Sequence, residues 1–471
     1  MTSQRSVVLV AINARYGHCS MACRSLIANL DSDESVVLLE NELSAQPFQI
    51  ASDILAHNPR LIGFSVYLWN LRLVRETVAI IREIACNIRI VLGGPEIVPE
   101  SAPQWENMVD DLVVGEGETA MRNLCRDTHD NWQRSPETKP KVIEAMPEDT
   151  ASLELPYAYY SDADISHRTI FTESSRGCPF SCVYCTSCET SLRLVPLSKL
   201  LPALDAMLER GVVAFRFLDR SFNVAEKHAC ELLDFFLARQ PERLQLHFEV
   251  IPCRLNKALR DRLAAFPPEV LHLEVGIQTL NKAVAQRIGR YCDIPVMFET
   301  IDFLMQAKAQ LHIDLIFGLP GEDEKSFAHG FNEIVTKFDP PELQVNLLKK
   351  LPGTPLARRE EFNDLRFNPN PPYELLESDA LNFQDINRLQ RFARTWELVH
   401  NRALCPEAAR AIWQSSNAHP FQQYMALSAK IFGQEGRLHA IGAKRLKQHV
   451  ADFLIETCQY PSAKAIEISG I

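Results

Sequence analysis

The stretch "RGCPFSCVYCTSC", residues 176–188, sets Cys178, Cys182, Cys185 and Cys188 within eleven positions. Thiolates are soft ligands that suit zinc and iron–sulfur clusters. Zinc sites commonly come as two C-x2-C pairs separated by a dozen or more residues. No matching second pair follows downstream. Three thiolates within eight residues can instead hold three irons of a [4Fe–4S] cluster and leave the fourth iron open for chemistry. Structural zinc is the competing reading. Cys188 is then either an ordinary loop residue or a side chain that faces a substrate.

Two more thiols stand together. Cys19 and Cys23 are spaced i, i+4 beside His18, at the expected start of the first helix, which would put both on one face. They read either as small packing residues or as a soft-metal or metalloid site, with the helix N-terminus lowering a thiol pKa. Cys253, Cys292, Cys405 and Cys458 have no partner spacing. Cys86, Cys125 and Cys230 fit helix packing, and Cys253 follows the third strand of the barrel inferred below.

The elements that must position these residues are legible as alternating apolar runs and amphipathic stretches. "SVVLVAI" (6–12), "SVVLLE" (35–40), "LIGFSV" (61–66), "IRIVLGG" (88–94) and "DLVVGEG" (111–117) predict buried parallel strands separated by helices. Residues 1–133 therefore predict an α/β, Rossmann-like domain whose ligands bind beyond the strands' carboxyl ends. Residues 134–165 contain a proline-rich charged stretch and predict a linker. Residues 166–353 carry six strand-like runs, "TIFTES", "VAFRFLD", "LQLHFEV", "VLHLEVGIQ", "LHIDLIFGLPGE" and "LQVNLLKKLPG". They predict a partial (βα)6 TIM-type barrel, with the cysteines placed after its first strand, at the functional end. Residues 354–471 predict a mostly helical domain.

Lys+Arg number 49 and Asp+Glu 60, a net charge of -11. That balance argues against bulk binding to nucleic acid or to anionic membranes. No window reaches the roughly 18 uninterrupted apolar residues of a membrane span. The first residues lack a signal peptide's apolar region and cleavage site, so a cytoplasmic location is expected. Thirteen cysteines in a reducing compartment favour metal, cluster or thiol chemistry over disulfides.

The C-x3-C-x2-C spacing with Tyr184 before its last cysteine resembles the signature of the radical S-adenosylmethionine (SAM) superfamily. The resemblance implies that Cys178, Cys182 and Cys185 bind the cluster. It also implies that SAM chelates the open iron and is cleaved homolytically by an electron from the cluster. It further implies SAM contacts from Asp219 after strand 2, Glu249 on strand 3 and Gln278 on strand 4. Gly318, in the strand 5 segment "DLIFGLPGE", would let backbone approach the ligand. Taken singly, Asp219 and Glu249 also read as ordinary ion-paired carboxylates.

A Rossmann-like domain ahead of such a barrel resembles the cobalamin-binding radical SAM class. Ser65 in "SVYLWN" and Gly93 and Gly94 in "GGPE" match the loops that would admit the corrin and its nucleotide tail. The D-x-H-x-x-G motif of that class is replaced by Asn13-Ala14-Arg15-Tyr16-Gly17-His18, with Arg15 where the cobalt-binding histidine would stand. Arginine stays protonated and cannot coordinate cobalt. The expectation is cobalamin without a lower protein ligand, or a domain that has ceased to bind it. The C-terminal "PPYELLE" is similar to the subgroup carrying the DUF4080 region.

The resemblance implies an enzyme that transfers a SAM-derived alkyl group. One specific form is transfer of the 3-amino-3-carboxypropyl group to trivalent arsenic, as in arsinothricin biosynthesis, with Cys19, Cys23 and Cys188 as the thiols that hold arsenite. The other is cobalamin-dependent C-methylation of a natural-product or other small-molecule precursor. Expected partners are a small-molecule or metalloid substrate and an electron donor such as flavodoxin or ferredoxin, with no nucleic acid and no membrane.

Overall fold

The computed structural model describes residues 6–128, 134, 139–239, 241–340, 342–414 and 419–471. Its first layer is a wholly parallel sheet of β1 (Ser6–Asn13), β2 (Val36–Glu42), β3 (Pro59–Ser65), β4 (Arg89–Gly93), β5 (Asp111–Val114) and β6 (Lys141–Glu144). The strand order is β2-β1-β3-β4-β5-β6. Both faces are covered, which is why these strands read as continuous apolar runs. One face packs Val8, Val10, Ile62 and Phe64 beneath Pro47–Ala56 and Leu71–Ile84. The other packs Leu9, Ala11 and Leu61 beneath α1 (Met21–Ala28) and Glu118–Asp127.

The stretch read as a linker holds more structure than its composition suggested. Lys141–Glu144 pairs in parallel with β5, and Asp162–His167 forms a short helix capped by Ser161. Four residues, exposed at both ends and half-buried between, make an edge strand too short to register as a period.

The second layer consists of β7 (Ile170–Thr172), a two-residue hairpin of β8 (Ser175–Arg176) and β9 (Arg193–Leu194), and then β10 (Ala214–Phe217), β11 (Gln245–Val250), β12 (Leu271–Gln278), β13 (Gln310–Phe317) and β14 (Glu342–Leu347). Strands β7 and β10 to β14 form one parallel sheet in the order β14-β13-β12-β11-β10-β7. The barrel is therefore open between β7 and β14. Alternate residues of each strand, such as Leu271, Leu273 and Val275 on β12, are buried against the outer helices. The intervening ones face the lumen.

The C-terminal region is mostly helical, with a small hairpin of Arg366–Phe367 and Leu375–Glu377. It shares one core with the barrel. The Trp396 indole N–H donates to the Leu343 carbonyl at 2.8 Å, Phe331 packs edge to face on Trp396 and Phe392 edge to face on Phe331, and Phe421 lies tilted against Phe392.

The carboxyl edge of the first sheet is tied directly to the barrel. Arg176 of β8 bonds Glu116 at 3.0 Å, Glu118 at 2.7 Å and Glu173 at 2.7 Å. Arg358 pairs with Glu100 at 3.0 Å, and the Tyr373 hydroxyl donates to Glu96 at 3.0 Å. Arg24 bridges Glu40 and Asp164, and His18 forms a backbone bridge with Thr169. Among the described residues no helix is long and apolar enough to cross a membrane.

Candidate functional site

The first cysteine of the loop, Cys178, follows the end of β7 by six residues and the end of β8 by two. The loop's entry is clamped by Asp219, which is 1% exposed just beyond β10. The Asp219 carboxylate accepts from the Ser174 N–H at 2.8 Å, the Ser174 hydroxyl at 2.7 Å and the Ser175 hydroxyl at 2.6 Å. Burial still raises its pKa, against the pull of those serines. Asp219 therefore anchors the strand that delivers Arg176-Gly177-Cys178, with two hydrogen bonds on one oxygen and one on the other.

Gly177 lies at φ +87°, and a β-carbon there would strike the Ser191 carbonyl of the returning strand. Thr190 closes the loop, its hydroxyl accepting from the Cys178 N–H at 2.9 Å. Gly289, at φ +69°, lets the chain after β12 press against Ser181. Cys178 and Cys182 are buried and Cys185 is half-buried. Arg290 and the Gly289 carbonyl approach the Cys182 sulfur at 3.9 Å each, and the Ser187 N–H points at the Cys185 sulfur at 3.4 Å. Burial pushes the Cys185 thiol up, with Ser187 and Arg220 pulling down and the neighbouring Cys182 and Cys178 adding to the rise.

The donor set decides between the two metals. Ligands around a single zinc ion sit about 4 Å apart, given Zn–S near 2.3 Å. Among the described residues the three sulfurs do not gather within 4.8 Å of one another. Three thiols spread over one loop suit the wider [4Fe–4S] cluster and supply three of its four iron ligands.

SAM fits the mouth beside them. Three buried polar atoms without partners lie just past the carboxyl ends of β10, β12 and β13: Ser221 Oγ, Gln278 Oε1 and Glu322 Oε2. Unpaired buried polar groups are costly unless a ligand completes them. Gln278 sits in a bulge at φ +69°, and Gly276 beside it leaves the room that the Gln278 amide and Arg290 fill. Glu249 is held by Arg220 at 3.1 Å. Gly318 does a different job from the one expected: at φ +81° its missing β-carbon accommodates Leu375 of the C-terminal region, 2.5 Å away.

The first sheet offers room for a nucleotide tail. Ala11, Ser65 and Gly93 are in register across β1, β3 and β4, a row of small residues at the carboxyl ends. Gly94, at φ +111°, allows the loop after β4 to approach Val66 to 2.5 Å from where a β-carbon would be. Arg15 is exposed on the loop after β1. His18 lines a cavity with Asn13, Arg15 and Glu40 at that edge and packs edge-on against Phe171 of the barrel, with burial first among the causes that lower its pKa. The row of small residues fits cobalamin, and Arg15 at the motif's histidine position stays protonated and cannot coordinate cobalt.

The extra cysteines are reassigned. Cys19 precedes the helix cap Ser20, so the i, i+4 pair does not share a helix face. Cys19 is 3% exposed in the barrel core with its thiol near the Thr169 carbonyl, while Cys23 joins the sheet core beside Ser65. Burial pushes the Cys19 pKa up to about 12 and raises that of Cys23, so both thiols stay protonated. Cys188 stays half-exposed in the cluster loop, with burial and the nearby Cys185 raising its pKa to about 11. Cys253 and Cys292, which spacing left unpaired, form a disulfide with Cα atoms 6.0 Å apart. They are 39 residues apart in sequence, but their loops follow adjacent strands.

One feature escaped the sequence reading. "LHFEV", "LHLEV" and "LHIDL" repeat the pattern Leu-His-apolar-acid-apolar on β11, β12 and β13. Alternation points each histidine and acid to the same face, the lumen.

Residues 7–125 match the B12 binding domain family, residues 172–333 the Radical SAM superfamily, and residues 360–468 the Protein of unknown function (DUF4080) family. The chain therefore carries a radical SAM domain with a B12-binding domain ahead of it and a DUF4080 region behind it. Among curated relatives it is similar to 2-(S-pantetheinyl)-carbapenam-3-carboxylate methyltransferase of Streptantibioticus cattleyicolor, 24% identical over 65% of this chain and 49% of that one. It is also similar to the cobalamin-dependent radical SAM methyltransferase TokK of Streptomyces tokunonensis, 22% identical over 78% of this chain and 59% of that one. The matches thus span about half the length of these relatives. In fold it resembles the cobalamin-dependent SAM radical enzyme OxsB, with TM-score 0.67, 13% identity, 99% of this chain and 81% of that one. The radical SAM methyltransferase TsrM from Kitasatospora setae gives TM-score 0.61, 16% identity and 80% coverage of each chain.

Proposed function

We propose that this protein is a cobalamin-dependent radical SAM methyltransferase acting on a small-molecule precursor. The observation that carries the reading is Arg176, two residues before Cys178, bonded to Glu116 and Glu118 at the carboxyl edge of the B12-binding sheet. It locks the expected cobalamin edge against the expected cluster loop. When bound, the cluster supplies the electron that cleaves SAM and cobalamin supplies a methyl carrier.

The chain's own residues do the rest. Cys178, Cys182 and Cys185 hold the cluster, and Asp219 through Ser174 and Ser175 fixes their loop. Gln278 and Ser221 orient SAM with their unpaired buried oxygens, and the Arg220–Glu249 pair sets the charge at the mouth. Gly93, Gly94 and Ser65 would give room to cobalamin, and Arg15, which stays protonated, would not serve as a cobalt ligand. Flavodoxin or ferredoxin would supply the electron.

Transfer of the 3-amino-3-carboxypropyl group to trivalent arsenic remains the second reading, and it rests on Cys188. Cys19 and Cys23 no longer support it, because both thiols are buried, protonated and in separate cores. Anaerobic incubation of cluster- and cobalamin-loaded protein with SAM, reductant and either candidate precursors or arsenite separates the two. S-adenosylhomocysteine with 5′-deoxyadenosine supports methylation. Methylthioadenosine with an organoarsenical overturns it.

A further inference from the structure

The three Leu-His-apolar-acid repeats gather on the floor of the barrel lumen, toward the amino ends of the strands. His312 Nδ1 lies 3.3 Å from Glu342, and its Nε2 lies 3.3 Å from Asp314. His247 Nε2 stands 3.2 Å from Glu274, and the His247 and His272 rings are 4.6 Å apart. The ligand atoms of His272, His312 and Glu342 all lie within 4.8 Å of one another, and so do those of Glu274, His312 and Asp314.

We propose that this cluster is a second metal site, binding one divalent first-row transition ion through His272, His312 and Glu342. Two imidazoles and one carboxylate suit zinc or iron(II). The 3.3 Å between His312 Nδ1 and Glu342 matches the edge of about 3.4 Å between nitrogen and oxygen ligands on a tetrahedral ion. Charge points the same way. Glu274, Asp314 and Glu342 bring three carboxylates against Arg216, 3.6 Å from Glu274, and His312, which Asp314 and Glu342 favour in its protonated form, so a divalent cation would take the place of the His312 proton. Glu249 nearby is already matched by Arg220.

The surroundings are those of a ligand set. Asn346 donates to Asp314 at 3.3 Å and Glu274 accepts from His247 when that ring nitrogen carries its proton, as outer groups around metal ligands do. Three protein ligands leave a coordination position open, as catalytic sites do and closed structural sites do not. An open position of this kind would take water or an anionic group. The site is separate from the cysteine loop and does not depend on the methyl-transfer reading.

The test uses the full chain with its cluster reconstituted anaerobically, so that the cluster thiols are occupied. One equivalent of zinc is added, the protein is desalted against a weak chelator, and retained zinc is counted. Wild type should retain about one zinc per chain, and Glu342→Gln and His312→Asn should each weaken retention at least about tenfold. Cluster absorbance reports that the variants fold. X-ray absorption at the zinc edge should show nitrogen and oxygen neighbours only. Sulfur neighbours, zinc unaffected by both variants, or no zinc retained by wild type would each overturn the site. If a variant loses its cluster, the wild-type absorption spectrum alone decides.

Discussion

Replacing Asp219 distinguishes an anchor from a SAM ligand. The carboxylate is 1% exposed and accepts three hydrogen bonds, from the Ser174 N–H and from the Ser174 and Ser175 hydroxyls. Hydrogen bonds to a charged group contribute about 1.5–3 kcal/mol each, and orphaned buried donors add a penalty. Burial already raises the Asp219 pKa, which shows that the environment taxes the charge and reduces the net gain. For Asp219→Ala the discounted loss is about 3–5 kcal/mol. Asp219→Asn keeps the shape and should lose about half of that, since one acceptor oxygen becomes a donor facing donors. The loss falls on the segment delivering Cys178, so iron per chain after reconstitution should drop in both variants, more steeply in the alanine. Urea denaturation gives the stability, iron analysis gives the cluster content, and calorimetry on the cluster-loaded fraction gives SAM affinity. The reasoning is refuted if Asp219→Asn keeps full iron and full stability while SAM affinity falls more than tenfold.

Other outcomes follow from single positions. Glu322 is 2% exposed, and burial raises its pKa to about 7 against the pull of Thr279 and Ser326. A raised folded pKa means its contribution is full below about 4.5 and is lost as pH rises through about 7, a cost of about 3 kcal/mol at pH 8. Glu322→Gln should therefore flatten the stability profile between pH 5 and 8, read by denaturant midpoints. Gly177→Ala places a β-carbon against the Ser191 carbonyl at a positive φ, so cluster loading should fail while the far-ultraviolet circular dichroism stays native. Cys188→Ser should keep full iron content and lose turnover if the thiol meets substrate; loss of iron would show a ligand instead.

The parts of the fold legible in the sequence share a local cause. Buried parallel strands announce themselves as apolar runs, and all eleven predicted strands appear within a few residues of their places. The three cluster cysteines are legible because one loop carries them all. What escaped depends on which neighbours a residue meets in space. Asp219 reads as a free carboxylate until Ser174 and Ser175 are seen on it, and Gly318 as a ligand-side glycine until Leu375 arrives from the C-terminal region. Cys19 and Cys23 looked paired by spacing, but Ser20 starts the helix between them. The lumen histidines carried a visible repeat, hidden because polar residues alternating along a strand read as solvent-facing until the barrel closes around them.

The cobalt content and visible spectrum of protein produced with cobalamin available test the central claim most directly. The account predicts about one cobalt per chain, cobalamin bands alongside the brown cluster absorbance, and a spectrum unchanged by Arg15→Ala because a protonated guanidinium does not coordinate cobalt. A cobalt-free protein with a full cluster that turns SAM into methylthioadenosine would contradict it.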